Sequence, residues 1–215
     1  MSGDRVLGWK IAATSAAGQQ HIRVDGPLAG RLLERKVLGP GASVPISGNI
    51  MKVGEAEFAF CLGKPLPARA ARYETVEVLE AVATLHPAIE IPDSRYADCT
   101  AVGAAQLIAD NACAGWFVLG EATQARWRDR DLAAHRVIAM RNRSIAAEGR
   151  GANVLGDPLL ALTWIANELS ALGVGLKTDD IVTTGTCLVP FGIAPGDLIR
   201  ADFGDLGSVE ASVTD

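Results

Sequence analysis

Apolar and polar positions recur along the chain in patterns that divide it into short elements. Val6 to Ala13 reads as a strand, with Trp9 and Ile11 on one face and Gly8, Lys10 and Ala12 on the other. Lys10 therefore stands between two small residues, which leaves room beside its amine. From Glu55 to Leu62, a period of two places Phe58, Phe60 and Leu62 on one face and Glu55 and Glu57 on the opposite one. The helical spacing of Val78, Leu79, Val82 and Leu85 predicts a helix over 75–85, ended with help from Pro87. Ala88 to Ile91 follows as a short strand carrying Glu90 between two isoleucines.

Residues 101–109 read as a brief helix, and the apolar stretch Ala112 to Leu119 reads as a strand buried on both faces. Arg136 to Met140 opens a hairpin that returns through Ile145, and the glycines of 149–156 mark a loop. Asp157 as N-cap, Pro158 at the first position, a stripe through Leu162, Ile165 and Leu169, and Gly173 as terminator define a helix. Asp180 to Thr184 is a strand ended by Gly185. Two further strands, Leu198 to Phe203 and Ser208 to Val213, are set off by turns at 195–197 and 205–207. Many short strands with two or three helices imply an α+β domain rich in antiparallel sheet, without the βαβ rhythm of a dinucleotide fold. No repeat or linker interrupts residues 1–215, so a single domain is expected.

Composition narrows the function classes. A chain of 215 residues buries roughly 70% of its unfolded surface and needs no disulfide or structural metal to fold. Its 20 basic and 25 acidic residues leave a net charge of −5, the wrong sign for a nucleic-acid footprint. The longest apolar run, Ala112 to Gly120, has nine residues, whereas a membrane helix needs about 20. The amino terminus shows no charged head followed by an apolar core, and Cys61, Cys99, Cys113 and Cys187 are scattered. Free thiols in a reducing cytoplasm are the expectation.

Candidate chemistry centres on Glu55, Glu57 and Glu90. Converging carboxylates repel unless a cation or proton sits among them, and oxygen-only donors suit Mg²⁺ or Mn²⁺. The Glu-x-Glu spacing taken alone is the usual mark of the solvated face of an edge strand, but Glu90 in its apolar strand needs a partner if buried. Lys10 reads either as a site amine or as a solvated one. Thr184, Gly185 and Thr186 offer hydroxyls and amides to a carboxylate ligand, and fit an ordinary strand-to-loop transition as well. His21, His86 and His135 show no metal spacing. Gly149-Arg150-Gly151 lacks the third glycine of a phosphate cradle, because Val154 stands there. No Gly-x-Ser-x-Gly elbow occurs.

Taken in order, these stretches resemble the fumarylacetoacetate hydrolase superfamily, in its 2-keto-4-pentenoate hydratase and 4-oxalocrotonate decarboxylase branch. The carrying residues are Gly8-Trp9-Lys10-Ile11 with Thr14, Glu55-Ala56-Glu57-Phe58, His86 to Ile91 with Ser94-Arg95, and Asp110-Asn111. Gly156-Asp157-Pro158, Trp164 to Asn167, Asp180 to Thr186 and Pro195-Gly196-Asp197 complete the match. The resemblance implies a mixed β-roll with few helices, a Mg²⁺ or Mn²⁺ ion at Glu55, Glu57 and Glu90, and Lys10 as an active-site residue. It implies a hydratase of 2-hydroxydienoates in cytoplasmic aromatic catabolism. The alternatives are an oxalocrotonate-type decarboxylase, an acylpyruvate hydrolase, or a non-catalytic oxo-acid-binding subunit. A homo-oligomer is expected, with no nucleic acid or membrane partner.

Three departures accompany the resemblance. Leu28 stands where some members carry an acidic residue, which leaves Glu148 or a metal-bound water as candidate base. His21 has Val24 three residues later, so the histidine–glutamate dyad of the hydrolase branch is not recognisable. Only nine residues precede Lys10, so the helical segment that comes before this strand in the family is expected to be largely missing.

Overall fold

The computed structural model describes residues 3–215. In chain order its elements are β1 (Val6–Ala12), α1 (Ala16–Ile22), β2 (Leu28–Leu33), β3 (Val37–Leu38), β4 (Ser43–Pro45) and β5 (Val53–Leu62). Next come α2 (Thr75–Ala81), β6 (Val82–Ile91), α3 (Ala104–Ala109), β7 (Trp116–Leu119), β8 (Arg136–Arg141) and β9 (Ser144–Arg150). The chain ends with α4 (Pro158–Ala171), β10 (Ile181–Thr186), β11 (Phe191–Gly192), β12 (Leu198–Asp202) and β13 (Ser208–Thr214).

The strands form two mixed sheets, the α+β roll expected from the sequence. The larger runs β2-β1-β10-β5-β6-β7-β3, with β11 added to β5; the smaller runs β4-β13-β12-β8-β9. β2 and β3 lie at opposite ends of the larger sheet yet are joined by the single 3-10 turn Glu34–Lys36. Its two edges must therefore lie close, and the sheet curls around its inner face. The apolar face of β5 packs outward onto the smaller sheet and its loops. Phe58 meets Phe203 edge-on at 5.0 Å, and Phe60 lies 5.8 Å from Trp127. This core is continuous with the buried stripe of α4, Leu162, Ile165 and Leu169. α4 starts and stops as its caps dictate: Asp157 accepts from Leu159 N at 2.7 Å, and Gly173 follows at φ +74°.

Four expected boundaries differ. α2 stops at Ala81, and β6 occupies 82–91 in one piece, running through Pro87. The apolar residues that suggested a longer helix also satisfy strand pairing, with Val82 opposite Leu62 and Leu85 opposite Phe60. Pro87 is tolerated because its carbonyl accepts from Gly120 N at 2.9 Å, while the Gly120 carbonyl is met by His86 Nδ1 at 2.9 Å in place of the missing N–H. β7 begins only at Trp116; the expected strand residues Ala112 and Cys113 instead follow Asn111 in a left-handed turn, with φ of 53°, 58° and 55° respectively. Such a conformation costs roughly 1–2 kcal/mol per residue outside glycine. The expected loop at 149–156 starts later, since Gly149 and Arg150 complete β9. β10 continues past Gly185, which sits in a bulge between Thr183 and Thr186.

Candidate metal centre

The adjacent strands β5 and β6, together with β1, which β10 separates from β5, project the acidic residues and the lysine onto the inner face of the curled sheet. β5 lies in the middle of the larger sheet, so Glu55 and Glu57 do not belong to an edge strand. Across the β5–β6 ladder Glu55 stands opposite Glu90, and Glu57 opposite Ala88. One carboxylate oxygen from each of Glu55, Glu57 and Glu90 lies within 4.8 Å of the others. Glu57 and Glu90 are 0% and 1% exposed; Glu55 keeps some access to solvent.

Lys10 reaches the same centre from β1. It is 2% exposed, as its small flanking residues permit. Its Nζ pairs with Glu90 Oε1 at 2.9 Å and donates to Ala112 O at 2.9 Å. Burial lowers its proton affinity, but the charges of Glu90, Glu57 and Glu55 outweigh burial and hold it above the ordinary value. In the metal-free site Lys10 is therefore held as a cation.

Glu57 is gripped from β10. Thr183 Oγ1 and Gly185 N both donate to Glu57 Oε2, the latter at 3.0 Å. Gly185 has φ +91°, and a Cβ there would fall 2.2 Å from Thr14 Oγ1, so only glycine presents this amide. Thr184 Oγ1 donates to Phe58 O at 3.1 Å and Thr186 Oγ1 to Leu188 O at 2.9 Å. Of the three expected substrate-binding residues, Gly185 thus contacts the glutamates directly, while both threonine hydroxyls engage backbone. Thr183, outside that set, is the residue whose hydroxyl holds Glu57. The period-two pair Thr183-x-Gly185 is the sequence signal for it.

The centre carries more negative charge than it neutralises. With all three carboxylates ionised, one lysine would leave two negative charges in excess. Burial, followed by the charge of Glu90, raises Glu55 to about 7. The same causes, with Glu55 added, push Glu57 well above the carboxylate range. Glu57 Oε1 and Glu90 Oε2 are buried without a hydrogen-bond partner, which is unfavourable for any acceptor. Two excess charges, orphaned oxygens and an all-oxygen donor set together fit one hard divalent cation. Glu148 lies elsewhere, exposed on β9 and bonded to Arg136 at 2.6 Å. Leu28 is buried in an apolar cluster with Val24, Leu107 and Ala112, so that position supplies no acid.

Residues 24–214 match the fumarylacetoacetate (FAA) hydrolase C-terminal family. The chain belongs to this family. It is 35% identical over 207 residues to 2-keto-4-pentenoate hydratase of Paraburkholderia xenovorans, covering 96% of this chain and 76% of that one. It is 32% identical to 2-hydroxyhexa-2,4-dienoate hydratase of Comamonas testosteroni, over 100% of this chain and 80% of that relative. Among solved structures it is similar to 4-oxalocrotonate decarboxylase of Pseudomonas putida complexed with magnesium and adipate. There the TM-score is 0.87 at 29% identity, over 98% of this chain and 79% of that one. The calcium and acetate complex of that decarboxylase gives a TM-score of 0.86 at 30% identity.

Proposed function

We propose that the protein is a divalent-metal-dependent hydro-lyase that adds water to 2-hydroxydienoates of the 2-keto-4-pentenoate type. The observation that carries this reading is the pair of orphaned oxygens on Glu57 and Glu90 beside the buried Lys10. Its context, a chain 35% identical to a 2-keto-4-pentenoate hydratase, supports the substrate class. Glu55, Glu57 and Glu90 would hold Mg²⁺ or Mn²⁺, which when bound supplies a Lewis acid for a 2-oxo acid.

The protein's own groups define the remaining roles. Two N–H groups of Lys10 are committed, to Glu90 and to the Ala112 carbonyl; the third is left for a substrate carboxylate or an enolate oxygen. Paired with Glu90, Lys10 is placed to stabilise developing negative charge. Thr183 and Gly185 fix the orientation of Glu57, and Thr184 and Thr186 fix β10 itself. No helix among the described residues is long and apolar enough to cross a membrane. Four free cysteines suit a reducing, cytoplasmic setting, and assembly into a homo-oligomer belongs to the same reading.

A decarboxylase is the second reading, supported by the likeness to 4-oxalocrotonate decarboxylase. A panel of 2-oxo and 2-hydroxydienoic acids with Mg²⁺ separates the two. Loss of dienoate absorbance without CO₂ supports the hydratase, and CO₂ release replaces it with the decarboxylase. Mg²⁺ binding with no turnover of any panel member rejects both in favour of a binding subunit.

A further inference from the structure

Asn111, Ala112 and Cys113 are three consecutive non-glycine residues at left-handed φ, and such a run persists only where its surroundings over-determine it. The turn is clamped from two sides. Asn111 Oδ1 accepts from Arg31 N at 2.7 Å and Asn111 Nδ2 donates to Arg31 O at 2.9 Å, so the side chain acts as a short strand on the side of β2 away from β1. Immediately before it, the buried Asp110 carboxylate accepts from Ser94 Oγ at 2.6 Å and Arg95 N at 3.1 Å, and pairs with Arg95 Nε at 2.5 Å. Gly30 leaves the space through which the turn passes: a Cβ there would lie 2.4 Å from Asn111 O and 3.0 Å from Lys10 Cγ. Ser94-Arg95 and Asp110-Asn111, which have no part in the metal chemistry, are thereby accounted for as the frame of one turn. What that turn delivers is the Ala112 carbonyl, 2.9 Å from Lys10 Nζ.

We propose that Asn111 is a positioning residue for Lys10: its paired bonds to Arg31 hold the left-handed turn whose Ala112 carbonyl aims the lysine amine at the glutamates. The proposal rests on the reading of Lys10 as the amine that meets substrate. A purely architectural asparagine, by contrast, affects stability and leaves the environment of Lys10 unchanged in any variant that folds.

Three substitutions separate the two. Asn111→Gly removes the clamp while a glycine keeps the left-handed backbone free of strain. Asn111→Asp retains the acceptor for Arg31 N and sets an oxygen against Arg31 O. Gly30→Ala leaves Asn111 intact and crowds both the Asn111 carbonyl and Lys10 Cγ, so it serves as the positive control for a displaced amine. The first readout needs no substrate: acetylation of Lys10 by acetic anhydride, followed by mass spectrometry, with Lys36, Lys52, Lys64 and Lys177 as internal references. Lys10 is expected to label several-fold faster in Asn111→Gly and Gly30→Ala, with Asn111→Asp between these and the parent. The second readout is hydration kinetics with Mg²⁺, where kcat is expected to fall roughly 10–100-fold in Asn111→Gly while KM and calorimetric Mg²⁺ affinity stay close to the parent values. Unchanged Lys10 labelling in the folded variants overturns the proposal. So does a fall in kcat that only tracks lost Mg²⁺ affinity. Should Asn111→Gly fail to fold, Asn111→Asp carries the same comparison. A parent protein that hydrates no dienoate unseats the functional reading, and the labelling experiment still decides whether Asn111 positions the amine.

Discussion

Glu55 and Glu90 stand directly opposite each other on the β5–β6 ladder, an arrangement of like charges that destabilises a sheet unless something neutralises them. Mg²⁺ or Mn²⁺ is therefore expected to raise the melting temperature, and a chelator to reverse the rise. At a free-ion concentration about 100 times Kd the stabilisation is about 2.7 kcal/mol. Scanning fluorimetry with and without each ion checks this, and the absence of a shift with both removes the case for a cation site.

Glu57→Gln keeps the volume of the side chain and retains an oxygen for Thr183 and Gly185, but it deletes one buried negative charge. Metal affinity is expected to fall by more than the roughly 10–100-fold typical of an outer-shell partner, and Mg²⁺-dependent turnover with it. The metal-free variant is expected to be at least as stable as the parent, because burial and like charges already disfavour the ionised form. Calorimetry and thermal melts measure the two effects separately.

The metal-free protein is expected to lose stability as pH rises from about 4.5 to about 7. Over that window the folded chain retains a proton on Glu55, raised to about 7 by burial and Glu90, that the unfolded chain has released; Glu57 acts in the same direction. With more protons bound to the folded state, raising pH favours unfolding. Metal binding expels these protons, so Mg²⁺ affinity is expected to increase over the same range. Melts and titrations at stepped pH measure both trends, and a metal-free protein that gains stability across this window contradicts the charge assignment.

Gly185→Ala is expected to loosen β10 against β5, by about 1–3 kcal/mol for the strained backbone position together with the clash at Thr14. Gly156→Ala is the matched control, with a similar φ of +88° but nothing within 4 Å of the added methyl. Only the first variant is expected to weaken Mg²⁺ binding, because only Gly185 donates to Glu57.

Lys10→Met removes the partner of Glu90 at nearly constant volume. Breaking a buried ion pair by deleting one member costs about 3–5 kcal/mol, and turnover is expected to drop by roughly 100-fold or more for loss of a charge-stabilising donor. Denaturant melts and steady-state kinetics test the two halves. Turnover near the parent value removes Lys10 from the reaction.

The parts of the fold legible in the sequence were those with local chemical signatures. Asp157, Pro158 and Gly173 bracket α4 because a cap, a fixed φ and a left-handed terminator each favour one residue type. Glu55 and Glu57 share a face through strand periodicity alone, and Lys10 occupies the small-residue face that periodicity assigned it. The passage from α2 to β6 was not legible, because Val78, Val82 and Leu85 fit a helical period, and Val82 and Leu85 face β5 together only through a register shift in the ladder that no local pattern announces. The turn at Asn111–Cys113 left even less trace. Ala112 and Cys113 seldom adopt left-handed φ, and the group that Ala112 contributes is a carbonyl that every residue owns. Convergence of Glu90 with Glu55 depends on the register between β5 and β6, which periodicity within one strand does not specify.

The grip on Glu57 has a consequence for the order of events on the ribosome. Thr183 and Gly185 lie 126 and 128 residues downstream of the carboxylate they hold, and synthesis proceeds from the amino end at about 5–20 residues per second. All three glutamates and Lys10 have therefore emerged well before β10 exists to separate β1 from β5. During that interval the acidic cluster has its ligands but not its scaffold. On the proposed reading, the grip on Glu57 would complete the ion's site only after β10 has been made.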